Sequence, residues 1–203
     1  MDKGLMKRYE ALKAKVVKRR QPFDEFIRFL EKETSWLTSP ASTRFHLCEE
    51  SGLLKHSVGV AETLFRLRAT LAPEISEESC VIVGLLHDTG KVGTPGKPLY
   101  LPNENEWEKK NRGIMYEWNP GVTAMGLAVR SLYLVGKYLP LSDAEAQAIC
   151  YHDGQYVAEN EPAAQNEEPL TLLVHWADYW TAHIFEDGRE VADDTNYFDR
   201  KPD

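Results

Sequence analysis

The residues with the plainest chemical potential are His87 and Asp88, at the end of the apolar run Val81-Ile82-Val83-Gly84-Leu85-Leu86. Thr89, Gly90 and Lys91 follow, and the glycine breaks the helical pattern. A carboxylate in apolar surroundings is costly unless it is paired or bound to a metal. An imidazole nitrogen beside a carboxylate oxygen suits a borderline divalent cation. Neighbouring side chains on a helix diverge by about 100°, so the pair can meet one ion only where the helix ends and the backbone turns.

Two residues far away in sequence have the same character. His56 shares a helical face with Leu53, Val60, Leu64, Leu67 and Leu71, which points its imidazole at the core. Asp178 lies one turn from Val174 and from Ala182, again on an apolar face. The chain thus offers four ligands, His56, His87, Asp88 and Asp178, on three helices. Two imidazoles and two carboxylates make a mixed site with positions left for water, which is a catalytic arrangement and not a closed structural one. Such an ion acidifies its water and polarises a phosphoryl oxygen.

The elements that must position these residues read as helices. Leu5, Tyr9, Leu12 and Val16 space a first helix over 5–20. Pro22 starts a second, with Phe23, Phe26, Ile27 and Leu30 as its stripe. Others are expected over 53–71, 74–86, 122–139, from the capping box Ser142-Asp143-Ala144-Glu145 to His152, and over 170–185. The basic cluster Lys13, Lys15, Lys18, Arg19 and Arg20 reads as a solvated face. His175 and His183 read as structural. The polar tail from Glu186 is expected to be poorly ordered. Residues 92–120 lose periodicity and are rich in Gly, Pro and Asn. They carry Tyr100, Trp107, Tyr116 and Trp118, expected to form a lid or stacking wall, with short strands at 97–101 and 113–118. No internal repeat and no alternating strand set supports a β core, so the fold class is all-α.

The 203-residue chain can bury a full core, with 42% hydrophobic and 28% charged residues. A net charge of -8 disfavours broad electrostatic binding to nucleic acid or to an anionic membrane. Cys48, Cys80 and Cys150 form no CxxC pair and fit a reducing compartment. The N-terminus lacks the apolar segment of a signal peptide, and no apolar run is long enough to span a membrane, so a cytoplasmic location is expected.

The pattern His56…His87-Asp88…Asp178, with His87-Asp88-Thr89-Gly90-Lys91 at its centre, resembles the HD superfamily of metal-dependent phosphohydrolases over roughly residues 40–185. The segments Pro40-Ala41-Ser42, Phe45-His46 and Gly52-Leu53-Leu54-Lys55-His56-Ser57 look like the HD domains of 3′–5′ exoribonucleases and of small stand-alone bacterial and phage relatives. The chain has no room for the β-barrel of the exoribonucleases.

The resemblance implies an HD-type helical bundle over 39–187 with a long irregular insertion after the dyad. N-terminal helices over 1–38 would pack on it, and a polar tail over 188–203 would follow. It implies His56, His87, Asp88 and Asp178 as ligands of a divalent ion (Mn, Fe, Co, Ni, Mg or Zn). Asp88, Lys91 and His152 become catalytic residues. Lys91, His46 and His152 become substrate-binding residues, and Tyr116 and Trp118, from the aromatic loop, are expected to bind substrate by closing over a base or sugar. Relatives with two ions often carry a His after the variable loop, where this chain reads Glu117-Trp118-Asn119-Pro120-Gly121, so one ion is expected. The implied function is hydrolysis of a phosphate ester of a nucleotide, or of another small phosphorylated metabolite, by water that the ion activates. Two alternatives stand beside it: a 3′–5′ exonuclease on short RNA or DNA, and a nucleotide-sensing module that does not turn over.

Overall fold

The computed structural model describes residues 2–186. Helices α1 (Lys3–Lys13) and α2 (Arg20–Glu33) come first, then α3 (Gly52–Leu71) and α4 (Glu77–Leu86). A short 3-10 turn at Thr89–Val92 leads to β1 (Tyr100–Pro102), α5 (Glu106–Arg112) and β2 (Tyr116–Trp118). Helices α6 (Leu127–Gly136), α7 (Asp143–Tyr151) and α8 (Pro169–Trp180) follow, and α8 runs into a π-helical turn at Thr181–Phe185. The fold is all-α apart from the antiparallel β1–β2 pair, in register Tyr100↔Trp118 and Leu101↔Glu117. No described helix is long and apolar enough to cross a membrane.

Local chemistry explains the ends of these helices. Asp2 caps α1 by accepting from the backbone of Gly4 and Leu5. Ser142 and Glu145 form the reciprocal capping box expected for α7. The first expected helix is shorter than its apolar spacing implied, because α1 ends at Lys13. Val16 still reaches the core from the connection. The helix expected from residue 122 starts only at Leu127.

One apolar core runs through the molecule. Tyr9, Phe23, Phe26, Leu30 and Trp36 from the N-terminal part join Leu53, Leu64, Ile82, Leu85 and Ile149 in one cluster. The indole of Trp36 donates to the hydroxyl of Tyr9 at 3.1 Å, so the largest buried ring is also polar-satisfied. Helices α3 and α4 approach very closely at Gly84. A Cβ there would stand 2.6 Å from Ala61 Cα, so only glycine permits this packing. That contact brings the imidazoles at His56 and His87 to the same end of the pair.

The insertion contains the two short strands expected there, at Tyr100–Pro102 and Tyr116–Trp118. It folds as the β1–β2 pair carrying α5, and Leu99, Tyr100 and Val122 form a small core of their own. Asn105 caps α5, and Gly113 ends it at a φ of 66°. The basic cluster likewise finds partners within the chain. Lys13 pairs with Glu10 and Glu31, Lys15 with Glu77, Arg19 with Glu78 and Glu145, and Arg20 with Asp24.

Candidate metal centre

Four imidazoles stand in a row across the end of the bundle. Ring centroids are 4.9 Å apart for His46 and His56, 5.4 Å for His56 and His87, and 4.8 Å for His87 and His152. His56 comes from α3, His87 from the C-terminal end of α4, and His152 from the C-terminal end of α7. Asp88 follows His87 where the helix breaks, and Asp178 projects from α8. The structure therefore brings together all four ligands expected from the sequence. His56 Nε2 lies 3.0 Å from Asp178 Oδ1 and 3.5 Å from Asp88 Oδ2, and His87 Nε2 lies 3.6 Å from Asp88 Oδ2.

The hydrogen bonds fix which ring nitrogens face inward. A carbonyl only accepts, so His87 Nδ1–H donates to Gly84 O at 2.9 Å. The lone pair of His87 Nε2 then points into the cluster, and this buried atom has no partner among the described residues. His152 repeats the device, with Nδ1–H donating to Ile149 O at 2.9 Å and Nε2 standing 3.6 Å from Asp88 Oδ1. An imidazole pinned through one nitrogen presents the other to a metal. His87, Asp88 and His152, and likewise His56, His87 and Asp178, each place ligand atoms within 4.8 Å of one another. This donor set fits a divalent cation of intermediate hardness.

The electrostatics show how the cluster balances its own charge. Burial pushes the His87 imidazole down to about 4, so it is a neutral donor near pH 7. Burial also disfavours the charged form of His56, but hydrogen bonds to Asp178 and Glu186 outweigh it and raise its pKa to about 10. His152 is likewise raised to about 9, where burial is outweighed by Asp88. Burial opposes the ionised forms of Asp88 and Asp178. The charge of Lys91 holds Asp88 well below the usual carboxylate range, and hydrogen bonding to His56 does so for Asp178. Asp88 and Asp178 are thus kept ionised by protonated His56 and His152 and by Lys91, and an ion entering the site displaces the imidazole protons.

Lys91 donates to Asp88 Oδ2 at 2.6 Å and is itself mostly buried. A cavity of about 1120 Å³ opens over the cluster, lined among others by Arg44, Phe45, Lys91, His152 and Asp178. His175 and His183, read from the sequence as structural, also line it. Nδ1–H of His175 donates to His152 O at 2.8 Å and so braces the helix end that carries His152. His46 reaches the site, but its Nδ1 is bound to the carboxylate of Glu186. Tyr116 and Trp118 are not brought to the cavity. They lie on β2, where Trp118 is half exposed and packs edge-on against Tyr100 at 5.3 Å.

Sequence reasoning missed Glu186, which it placed in a disordered tail. Its carboxylate is buried against His46 and His56. The family model for the HD domain matches residues 53–182, well over half of the chain. No curated protein and no solved structure matches it.

Proposed function

Because this chain belongs to the HD-domain family, whose members are in general metal-dependent phosphohydrolases, we propose that it hydrolyses a phosphate ester of a nucleotide or a similarly small metabolite. The observation that carries the reading is the bare, buried Nε2 of His87, facing two carboxylates held ionised. A buried imidazole nitrogen with no partner among the described residues needs an explanation, and a bound ion supplies one.

A divalent ion held by His56, His87, Asp88 and Asp178 supplies Lewis acidity and a low-pKa water when bound. Asp88 also accepts the proton of the attacking water. The ammonium of Lys91, at the cavity wall beside Asp88, meets the charge that grows on the phosphoryl oxygens. His152 keeps Nδ1–H on Ile149 O, and with its pKa raised to about 9 the ring is also protonated at Nε2, from where the proton passes to the leaving oxygen. At the cavity rim the guanidinium of Arg44 lies 4.7 Å over the ring of Phe45. A cation and an aromatic face together suit a second phosphate and a base. The net charge of -8 favours a small ligand over a polyanion.

The test is a panel of nucleoside mono-, di- and triphosphates with Mn²⁺, run beside short RNA and DNA. A mononucleotide is expected to show the highest kcat/KM. Faster shortening of RNA would establish the exonuclease reading instead. Binding of ion and nucleotide with no turnover would leave a sensing module.

A further inference from the structure

Glu186 is the residue at this site with no sequence signal. It comes just after the π-helical turn Thr181–Phe185, where Glu186 N–H donates to Thr181 O at 3.0 Å. A π turn inserts one residue into a helix and re-aims the side chains beyond it, and such turns gather at functional sites. Here the turn is clamped onto α3. Thr181 Oγ1 donates to Thr63 Oγ1 at 3.1 Å. A Cβ on Gly59 would stand 2.9 Å from Thr181 Cγ2, so glycine is what lets the turn settle there. His56, Gly59 and Thr63 lie on one face of α3, and the turn covers that face.

The result is a two-sided imidazole. Nε2 of His56 faces Asp178 at 3.0 Å, while Nδ1 faces Glu186, with Oε1 at 3.1 Å and Oε2 at 3.2 Å. Glu186 is in turn fixed by Nδ1 of His46, and only 8% of its side chain is exposed. We propose that Glu186 is a positioning residue for the ion: its carboxylate accepts Nδ1–H of His56 and so presents the Nε2 lone pair to the metal. Carboxylates behind ligating histidines fix the ring and raise its basicity, and losing one weakens metal binding by about 10–100-fold. His56 needs such a partner because, unlike His87 and His152, it has no backbone carbonyl on Nδ1 among its described hydrogen bonds. The proposal rests on the ion-binding reading and adds the residue that tunes it.

The test uses the full chain, stripped of metal and titrated with Co²⁺ alone, with affinity from chelator competition and coordination from the visible spectrum. Wild type is expected to bind one Co²⁺. Glu186→Ala is expected to weaken binding by about 10–100-fold. Glu186→Gln keeps the shape and an accepting oxygen but no charge, so it should fall between the two, and it serves if the Ala variant does not fold. A residue that merely anchored the end of α8 would lower the melting temperature and leave the Co²⁺ affinity unchanged; that result overturns the proposal. Binding of two Co²⁺ ions, with one lost in Glu186→Ala, would make Glu186 a ligand and also overturn it. If wild type binds no Co²⁺, the ion-binding reading fails and takes this inference with it, whereas equal affinity in wild type and both variants sinks the inference alone.

Discussion

Two buried clusters of charge among the described residues are built on opposite principles. Around Arg19 every group is answered. Its guanidinium grips Glu145 with bonds of 2.6 and 2.7 Å and Glu78 at 2.8 Å, and it also donates to Pro140 O. Glu78 accepts from the backbone of Val17 and Lys18 as well. Around Asp88 a short pair with Lys91 at 2.6 Å stands beside imidazole approaches of 3.5–3.6 Å, and His87 Nε2 has no partner among the described residues. Fork-to-carboxylate geometry at short range holds the N-terminal helices to α4 and α7. The looser cluster gives up that closure and keeps room for a cation. Saturated contacts thus mark the buried charge that holds the helices together, whereas the cluster around Asp88, despite its short Lys91 pair, leaves His87 Nε2 without a partner among the described residues.

That contrast can be broken most severely at Asp178. Asp178→Ala should lower phosphate-ester turnover by roughly 10³-fold or more, about 4 kcal/mol of transition-state stabilisation, with loss of bound metal. Normal turnover with full metal would place Asp178 outside the centre. At the closed cluster, Arg19→Ala leaves Glu145 buried and unanswered, and should cost about 3 kcal/mol in urea unfolding with metal content unchanged. A cost below about 1 kcal/mol, or a loss of metal, would erase the distinction between the clusters. Lys91→Ala should cut turnover by about 10²-fold, because a charge facing the phosphoryl group is gone. It should retain its metal, since removing an ammonium from beside Asp88 cannot weaken the attraction of that carboxylate for a cation.

The smallest effect is on pH. Burial raises the pKa of Glu78 and Glu145, but hydrogen bonds from Arg19 outweigh it and leave both below the ordinary value of 4.5. A lowered carboxylate pKa in the folded state gives stability that is whole above the unfolded value and is lost as pH falls through the folded one. Urea midpoints of wild type should therefore fall as the pH drops below about 4.5, and Arg19→Ala should flatten that slope.

The four candidate ligands could be singled out because His56 and Asp178 sit on apolar helical faces where a polar residue has to be explained, and the dyad lies where an apolar helix stops. The helices were legible by the same periodicity, and Ser142 and Glu145 marked an end correctly. What escaped were contacts that periodicity does not encode. Glu186 lies beyond a π turn in a polar stretch, and only the packing of Thr181 on Gly59 and Thr63 reveals its place. Arg19 looked like one more solvated base, because Glu145 is 126 residues away in sequence. Tyr116 and Trp118 looked like a lid because aromatic residues in a loop need burial. In the structure the insertion forms its own pair of strands, with Tyr100 buried and packed edge-on against Trp118, which stays half exposed.

Whether the open cluster is a cation site can be asked of the protein directly. The chain is stripped with a chelator, Mn²⁺ is returned in steps, and bound metal and melting temperature are followed together. One ion per chain should bind, and the melting temperature should climb with concentration, by the equivalent of about 2.7 kcal/mol at a hundredfold excess over Kd. His87→Ala should show neither response. A wild-type chain that retains no Mn²⁺ and melts at the same temperature throughout would mean that these buried histidines and carboxylates hold no ion.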